Sequence, residues 1–412
     1  VSGMHWENWY GNQRCSPDHV VAPRSEEEVA EAVIAACARG RTVRPAGSGH
    51  SNVPLVPTDG TVLDLQRLTG LVAVDAATRQ VTVRAGTRIR DLGPMLWEHG
   101  LSLTNQGDID GQQIAGAIAT GTHGTGIGLG SLSSALLGAR IVRADGTVAT
   151  VDLSTPDELR AARTSLGALG VLTELTLQVS AAYALVAQLE PCSWDELMVG
   201  WRERLRQHRH FLFYWFPSEA AARAWFHHDP PLRADSVLVR TMDPAHPGTP
   251  SEDGDRRRGP AFQVFADPSE PDFHELEFMV PIERAEEALG ELREMLLSAH
   301  PGHALPLEVR FVAADDAFLS PFAGRASCSI SVSGVLGEDN ATVFADCERV
   351  FARYDGRPHW GKWHPYDAAE LERLYPDLDR FRKVREELDP GGTFTNPYLG
   401  ALLDRAREGA AR

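Results

Sequence analysis

The chain has 412 residues, 43% of them apolar and 24% charged, with a formal net charge of −17 and a pI near 5.3. That length allows two or three domains, and the acid excess argues against a nucleic-acid or anionic-membrane partner, since either needs a basic field. The five cysteines are odd in number, far apart and never in CxxC spacing, which disfavours a disulfide framework or a cysteine zinc site and suits a reducing compartment. No apolar run nears the roughly 18 residues of a bilayer span. The first residues, Val-Ser-Gly-Met-His-Trp, carry no signal-peptide pattern, so the expected location is the cytoplasm.

Residues 1–24 are aromatic and irregular, with Trp6, Trp9 and Tyr10 ahead of Pro17 and Pro23. Ser25 and Glu28 have the spacing of a capping box. Val29, Val33, Ala36 and Cys37 then recur at helical intervals, and Gly40 closes the helix. Thr42–Arg44 reads as a short strand leading into the loop Pro45-Ala46-Gly47-Ser48-Gly49-His50-Ser51. Thr61–Leu65 is another strand, Val72–Val74 and Gln80–Val83 form a hairpin, and Arg88–His99 is a helix whose first turns Pro94 limits. A second glycine-rich region runs from Asn105 through Gly107, Asp108 and Gly111 to a short apolar helix from about Gln113. It continues through Thr120-Gly121-Thr122-His123-Gly124-Thr125-Gly126, and strands follow near Ala139–Arg143, Thr147–Val151 and Val171–Val179.

From about Ala181 the elements lengthen. Strands are expected at Tyr183–Leu189, His210–Phe216, Ser236–Arg240, Glu275–Val280, Leu307–Val312 and Cys328–Val332, with Ala224–His228 a further candidate. Helices are expected at Trp194–Gln207, Ile282–Ala299 and Ala341–Tyr354. Pro244–Pro260 is rich in Pro, Gly, Asp and Arg and reads as a solvated excursion. This order suggests an antiparallel sheet with helices on one face.

Three stretches carry chemistry. Glycine tolerates positive φ, so the 45–51 loop can turn several N–H groups toward one point and cradle phosphate oxygens without a lysine. His50 makes sense there if an electrophile sits beside the phosphates; the alternative is a surface turn with an exposed histidine. The chain has no GxxxxGK[ST] and no clean GxGxxG opening a helix, which removes the P-loop and disfavours a Rossmann site. Two separate loops of this kind suit an extended ligand such as FAD. Glu308 and Arg310, two apart in a strand, share one face, as do Ser327, Ser329, Ser331 and Ser333. They line a wet cavity or simply a solvent face. In His359-Trp360-Gly361-Lys362-Trp363-His364 the tryptophans could wall a pocket, and a buried Lys362 would need a carboxylate, for which Glu308 is the candidate. The alternative is an aromatic edge with Lys362 reaching water. The spacing of His359 and His364 fits neither one helix face nor one strand face, so no metal site is expected.

Together the Asn8-Trp9 pair, RPAGSGHS, GDIDGQQIAGAIATGTHGTG, Glu308-Val-Arg310, HWGKWH and Leu388-Asp-Pro-Gly-Gly-Thr-Phe-Thr-Asn396 resemble the vanillyl-alcohol oxidase superfamily of flavoproteins, in its aldonolactone oxidase and alditol oxidase branch. The resemblance implies an α+β fold: a bipartite FAD-binding domain of PCMH type over residues 1–180, made of two α+β subdomains, and a substrate domain over 181–412 with an antiparallel sheet covered by helices. Residues 359–412 would return to the first domain. It implies FAD held through an 8α-histidyl bond to His50, with Pro45, Ala46, Gly47, Ser48, Gly49, Ser51, Gly107, Asp108, Gln113, Gly116, Thr120, Gly121, Thr122, His123, Val171 and His359 as further cofactor contacts. Gly107 would leave room for dioxygen at the reactive edge of the flavin. Asp108 and Gln113 depart from the small hydroxylated residues frequent at those places in alditol oxidases. Glu308, Arg310 and Lys362 match the substrate-side trio. The implied activity is oxidation of a hydroxyl of an aldono-1,4-lactone or alditol by hydride transfer to flavin, with O2 reduced to H2O2. Arg310 and Lys362 would stabilise the developing alkoxide, and Glu308 would accept a hydrogen bond from substrate. Other readings are a dehydrogenase with a different electron acceptor, oxidation of a specialised sugar or natural-product alcohol, and a non-catalytic FAD- or sugar-binding protein.

Overall fold

In the computed structural model, residues 4–224, 231–245, 252–253, 256–266 and 273–405 are described. Ser25 caps the Glu26–Ala38 helix by accepting the Glu28 N–H at 3.3 Å, and Val29, Val33 and Ala36 bury its inner face. The other half of the expected capping box is displaced by one residue, because the Glu28 carboxylate accepts from the Arg24 N–H at 2.7 Å. The strands His19–Val21, Thr61–Asp64 and Val43–Ala46 form a parallel three-stranded sheet with Thr61–Asp64 in the middle. The Leu71–Asp75 and Gln80–Arg84 hairpin joins Val171–Gln178, Leu136–Val142 and Val148–Asp152 in an antiparallel five-stranded sheet. Ile89–Glu98 stays helical through Pro94.

A nine-stranded antiparallel sheet dominates the remainder. Its centre runs Ala184–Ser193, Ser236–Pro244, His210–Phe216, Leu307–Val312, Ser327–Val335 and Phe273–Pro281. Helices Trp194–Gln207, Ala285–Ala299 and Ala341–Arg353 cover one face, where Trp201 stacks on Phe311 at 5.2 Å and Phe351 on Phe278 at 5.1 Å. The expectation of helices on one face alone needs correction. Short helices Glu219–Ala224 and Ala261–Phe265 pack on Leu185, Leu212 and Phe216 of the other face. Ala224 ends a helix instead of opening a strand, and 225–228 lie outside the described residues. Within the expected excursion, Arg256–Pro260 pairs with Ala184–Gln188, so that part belongs to the sheet.

The end of the chain packs against its beginning. The Val43 N–H donates to Thr393 O at 2.8 Å, and the Asn396 amide donates to the carbonyls of Pro54 and Pro57 at 2.9 and 3.0 Å. Arg44, 1% exposed, donates to the carbonyls of Leu55, Leu166, Gly167 and Phe394 at 2.5–2.9 Å. Among the described residues no helix is long and apolar enough to cross a membrane.

Candidate active site

The Val43–Ala46 strand delivers the glycine-rich loop into a cavity. Pro45, Ala46, Gly47, Ser48, Gly49, His50, Ser51, Gln113, Gly116 and Thr120 line it, together with Leu55, Leu166, Gly167 and Leu172. Gly49 is required where it stands: its φ is +74°, and a Cβ would lie 3.1 Å from the Trp9 nitrogen. The loop is tied on two sides, by Trp9 N–H to Gly49 O at 2.9 Å and by Asn52 N–H to Gly361 O at 2.7 Å. His50 is pushed down to about 4 by burial and then by Lys362 and Arg88, so its imidazole is neutral. Its Nδ1 and the side-chain oxygens of Gln112, Gln113 and Thr122 are buried without partners. Buried polar atoms are nearly always satisfied, so these atoms are placed for a polar ligand. A cavity lined by N–H-bearing glycines and unmet polar atoms fits a dinucleotide such as FAD.

Gly107, Asp108, Thr122, His123 and His359 line a second cavity, with Glu308, Arg310 and Lys362. Gly121 and Val171 line neither cavity. The Leu307–Val312 strand projects Glu308 and Arg310 from one face, and Arg310 grips the Glu308 carboxylate at 2.8 and 2.7 Å. Asp108, expected at the cofactor, directs its carboxylate to two guanidiniums, Arg310 at 2.5 Å and Arg240 at 3.4 Å. Lys362 does not pair with Glu308. Its ammonium donates to Glu275, as does the Ser331 hydroxyl, because the neighbouring Phe273–Pro281 strand brings Glu275 under the Lys362 segment. There the Trp363 N–H donates to Glu275 O at 3.0 Å. Ser329 donates to Glu277 at 2.6 Å, and all four serines of that strand are buried. The solvent-face alternative therefore fails. So does the pocket-wall reading of the tryptophans: Trp360 is fully buried with its N–H on Leu319 O at 2.5 Å, and Trp363 packs on Phe344.

Burial and then the Asp108 charge push the Glu308 carboxyl up to about 7, against the pull of Arg310. Burial works against the charges of Lys362 and Arg310, but Glu275 and Glu277, and Asp108 and Glu308, more than offset it and both cations are held charged. His359 is pushed down to about 3 by burial, with Lys362, His123 and Arg310 adding to it. His123, Glu277 and His359 bring ligand-type atoms within 4.8 Å of one another. Hydrogen bonds account for the trio without an ion. The Gly361 N–H donates to His359 Nδ1 at 3.0 Å, which leaves the ring proton on Nε2 and no lone pair there for a metal. His123 donates from Nδ1 to Gly124 O at 2.8 Å and meets Glu277 through Nε2 at 2.9 Å. His364 stands apart from this group, bonded to the Tyr398 hydroxyl at 3.0 Å.

Glu275 and Glu277 were legible in the alternation of Phe273-His-Glu-Leu-Glu-Phe278, where two carboxylates share a strand face with the serines opposite. Tyr214 had no such signal. It lies opposite Glu308 in the sheet, and burial followed by Glu308 and Asp108 holds its phenol well above the usual range.

Cavity, loops and sheets together define an FAD-binding oxidoreductase of the vanillyl-alcohol oxidase superfamily. A cholesterol oxidase from B. sterolicum superposes with a TM-score of 0.82 over 97% of this chain and 96% of its own, at 15% identity, which shows the shared fold. The FAD binding domain model matches residues 17–152, and the D-arabinono-1,4-lactone oxidase model matches 175–245 and 237–402. The chain belongs to this D-arabinono-1,4-lactone oxidase family. It is 36% identical to an L-gulono-1,4-lactone dehydrogenase of Mycobacterium tuberculosis, over 97% of this chain and 99% of that one. It is 32% identical to an alditol oxidase of a Streptomyces species, over 96% and 98%.

Proposed function

We propose that the protein oxidises a hydroxyl of a sugar-derived substrate, an aldono-1,4-lactone or an alditol, using FAD carried on His50 and O2 as acceptor, with H2O2 released in the cytoplasm. In this reading residues 1–180 hold the cofactor, 181–412 the substrate, and 359–412 return to close the site between them. The reading is carried by one observation: two partly buried cations, Arg310 and Lys362, each paired with a carboxylate, face a cavity that also contains Gly107 and His123 of the second glycine-rich region. The flavin, when bound, supplies the acceptor for a hydride from the substrate carbon. The residues do the rest. Arg310 and Lys362 are charged before substrate arrives, and they stabilise the alkoxide that develops as the hydroxyl loses its proton. Glu308 and Glu275 fix the direction of each cation, and Glu308, set near neutrality, accepts the substrate hydroxyl's hydrogen bond. Asp108 helps to align Arg310 by accepting from the same Nη2 that donates to Glu308. A substrate rich in hydroxyl donors suits the four carboxylates of Asp108, Glu275, Glu277 and Glu308.

In this reading oxygen is the acceptor, and Gly107 lines the cavity without a side chain. A Cβ there would stand 3.1 Å from the His123 carbonyl, so the chain packs closely at this position. A dehydrogenase with another acceptor is the second reading, supported by the name of the mycobacterial relative. Anaerobic bleaching of the flavin by a panel of aldonolactones and polyols tests the substrate class, and admission of air with a peroxide assay tests the acceptor. No bleaching by any member of the panel would overturn the proposed reaction. Bleaching followed by slow recovery in air would select the dehydrogenase.

A further inference from the structure

His50 is enclosed from outside by the segment Asn8–Tyr10; Tyr10 also acts on Lys362, whereas Trp9 has no place in the reaction described above. Trp9 stacks on the His50 ring with centroids 5.0 Å apart and planes 22° from parallel, and Tyr10 meets the same ring edge-on at 6.3 Å. The stacking tryptophan is 63% exposed, an unusual place for the largest apolar side chain. Nothing in a core requires it there. The backbone around it is fastened: Trp9 N–H to Gly49 O at 2.9 Å, Asn8 Nδ2 to Ser51 O at 2.9 Å, and Asn8 Nδ2 to Asn12 Oδ1 at 2.6 Å. The Gln13 N–H closes the turn on Asn8 Oδ1 at 2.9 Å. Glycine at 49 lets the two backbones touch, since any Cβ would press on Asn8 Cα at 3.2 Å. The result is an imidazole clamped on one face by an indole, with a buried Nδ1 that has no hydrogen bond to give up. A nucleophile gains most from being held in one orientation beside the atom it attacks, and an aromatic lid does this without competing for the ring nitrogens.

We propose that Trp9 is a positioning residue for formation of the bond between His50 and the flavin. The inference rests on the His50 attachment proposed above. In that step an N–C bond forms between the imidazole and the ring methyl group, while one imidazole N–H and one methyl C–H are lost. The two electrons and two protons so released reduce one O2 to H2O2. Trp9 holds the ring plane during this step and takes no part in the later turnover of substrate.

Intact mass and acid precipitation of the protein as expressed test this directly, by the share of chains that carry flavin covalently. Trp9→Leu should still bind FAD and purify yellow, but its covalent share, or the rate at which that share grows on incubation with FAD in air, should fall roughly tenfold. Trp9→Phe, which keeps a stacking ring, should recover most of it. A covalent share and rate in Trp9→Leu equal to the wild type would overturn the inference. If Trp9→Leu does not fold, Trp9→Phe and Trp9→Met decide it: equal attachment in both overturns the role of the ring, and a deficit in Met alone supports it. A wild-type protein whose flavin washes out in acid would instead remove the His50 attachment, and this inference with it.

Discussion

Glu275→Gln removes the carboxylate facing Lys362 while keeping its size. The two side chains are 8% and 13% exposed, so water replaces little of what is lost. Deleting one member of a buried ion pair costs about 3–5 kcal/mol, because the remaining charge stays uncompensated. Glu277 also favours the charged Lys362, which puts this loss near the lower bound, about 3 kcal/mol. Lys362→Met strands the Glu275 carboxylate, with the Ser331 hydroxyl still donating to it. The double variant strands neither charge, so its loss of stability should be less than the sum of the two by about 1–3 kcal/mol. The kinetic signature is separate. Removing a preorganised cation should slow anaerobic flavin reduction by about 10²–10³-fold in Lys362→Met, with FAD retained. Urea unfolding of the three flavin-loaded variants gives the cycle, and stopped-flow absorbance gives the reduction rate. Strictly additive stability losses would refute the buried pairing, and reduction of Lys362→Met at the wild-type rate would remove Lys362 from the chemistry.

Glu308 has a folded value of about 7 against an ordinary 4.5. A raised carboxyl contributes stability at low pH that is lost as pH rises through about 7, whereas the ionised form is the one that accepts from substrate. Flavin reduction should therefore fall about tenfold per pH unit below 7, and Glu308→Gln should flatten that profile at a lower plateau. His50→Ala should bind FAD that acid precipitation releases; flavin that stays with the precipitate would place the attachment elsewhere. Arg44→Met abandons the carbonyls of Leu55, Leu166, Gly167 and Phe394, and should cost about 3–5 kcal/mol in urea unfolding. A loss under about 1 kcal/mol would mean those carbonyls find water.

Much of the fold was legible because period and punctuation agreed. The helix at Trp194–Gln207 and the strands His210–Phe216 and Leu307–Val312 have their expected bounds. Pro156–Ala162 was not anticipated, since about two helical turns offer too little periodicity to separate from a loop. Arg256–Pro260 was read as an excursion because three arginines and a proline carry no strand pattern; pairing with Ala184–Gln188 supplies the order that composition does not. At the site, the two glycine-rich loops and the Glu308–Arg310 pair could be found from spacing alone. The partner of Lys362 could not. Glu275 and Glu308 lie on different strands of one sheet, and only the register between Phe273–Pro281, Ser327–Val335 and Leu307–Val312 decides which carboxylate lies nearer the ammonium.

The seam between the two ends of the chain has a consequence for biosynthesis. A nascent polypeptide that has emerged as far as Gln178 can pair both sheets of its first half, yet it lacks the acceptors on Thr393 and Phe394 and the donor on Asn396 that Val43, Arg44 and the stretch after Val53 use. Thr393–Asn396 therefore buttress Arg44 and Leu55, which line the cradle, only once that late segment has been made. A fragment ending upstream of Thr393 should carry less FAD than the full chain when both are loaded from the same solution, a difference read by flavin absorbance.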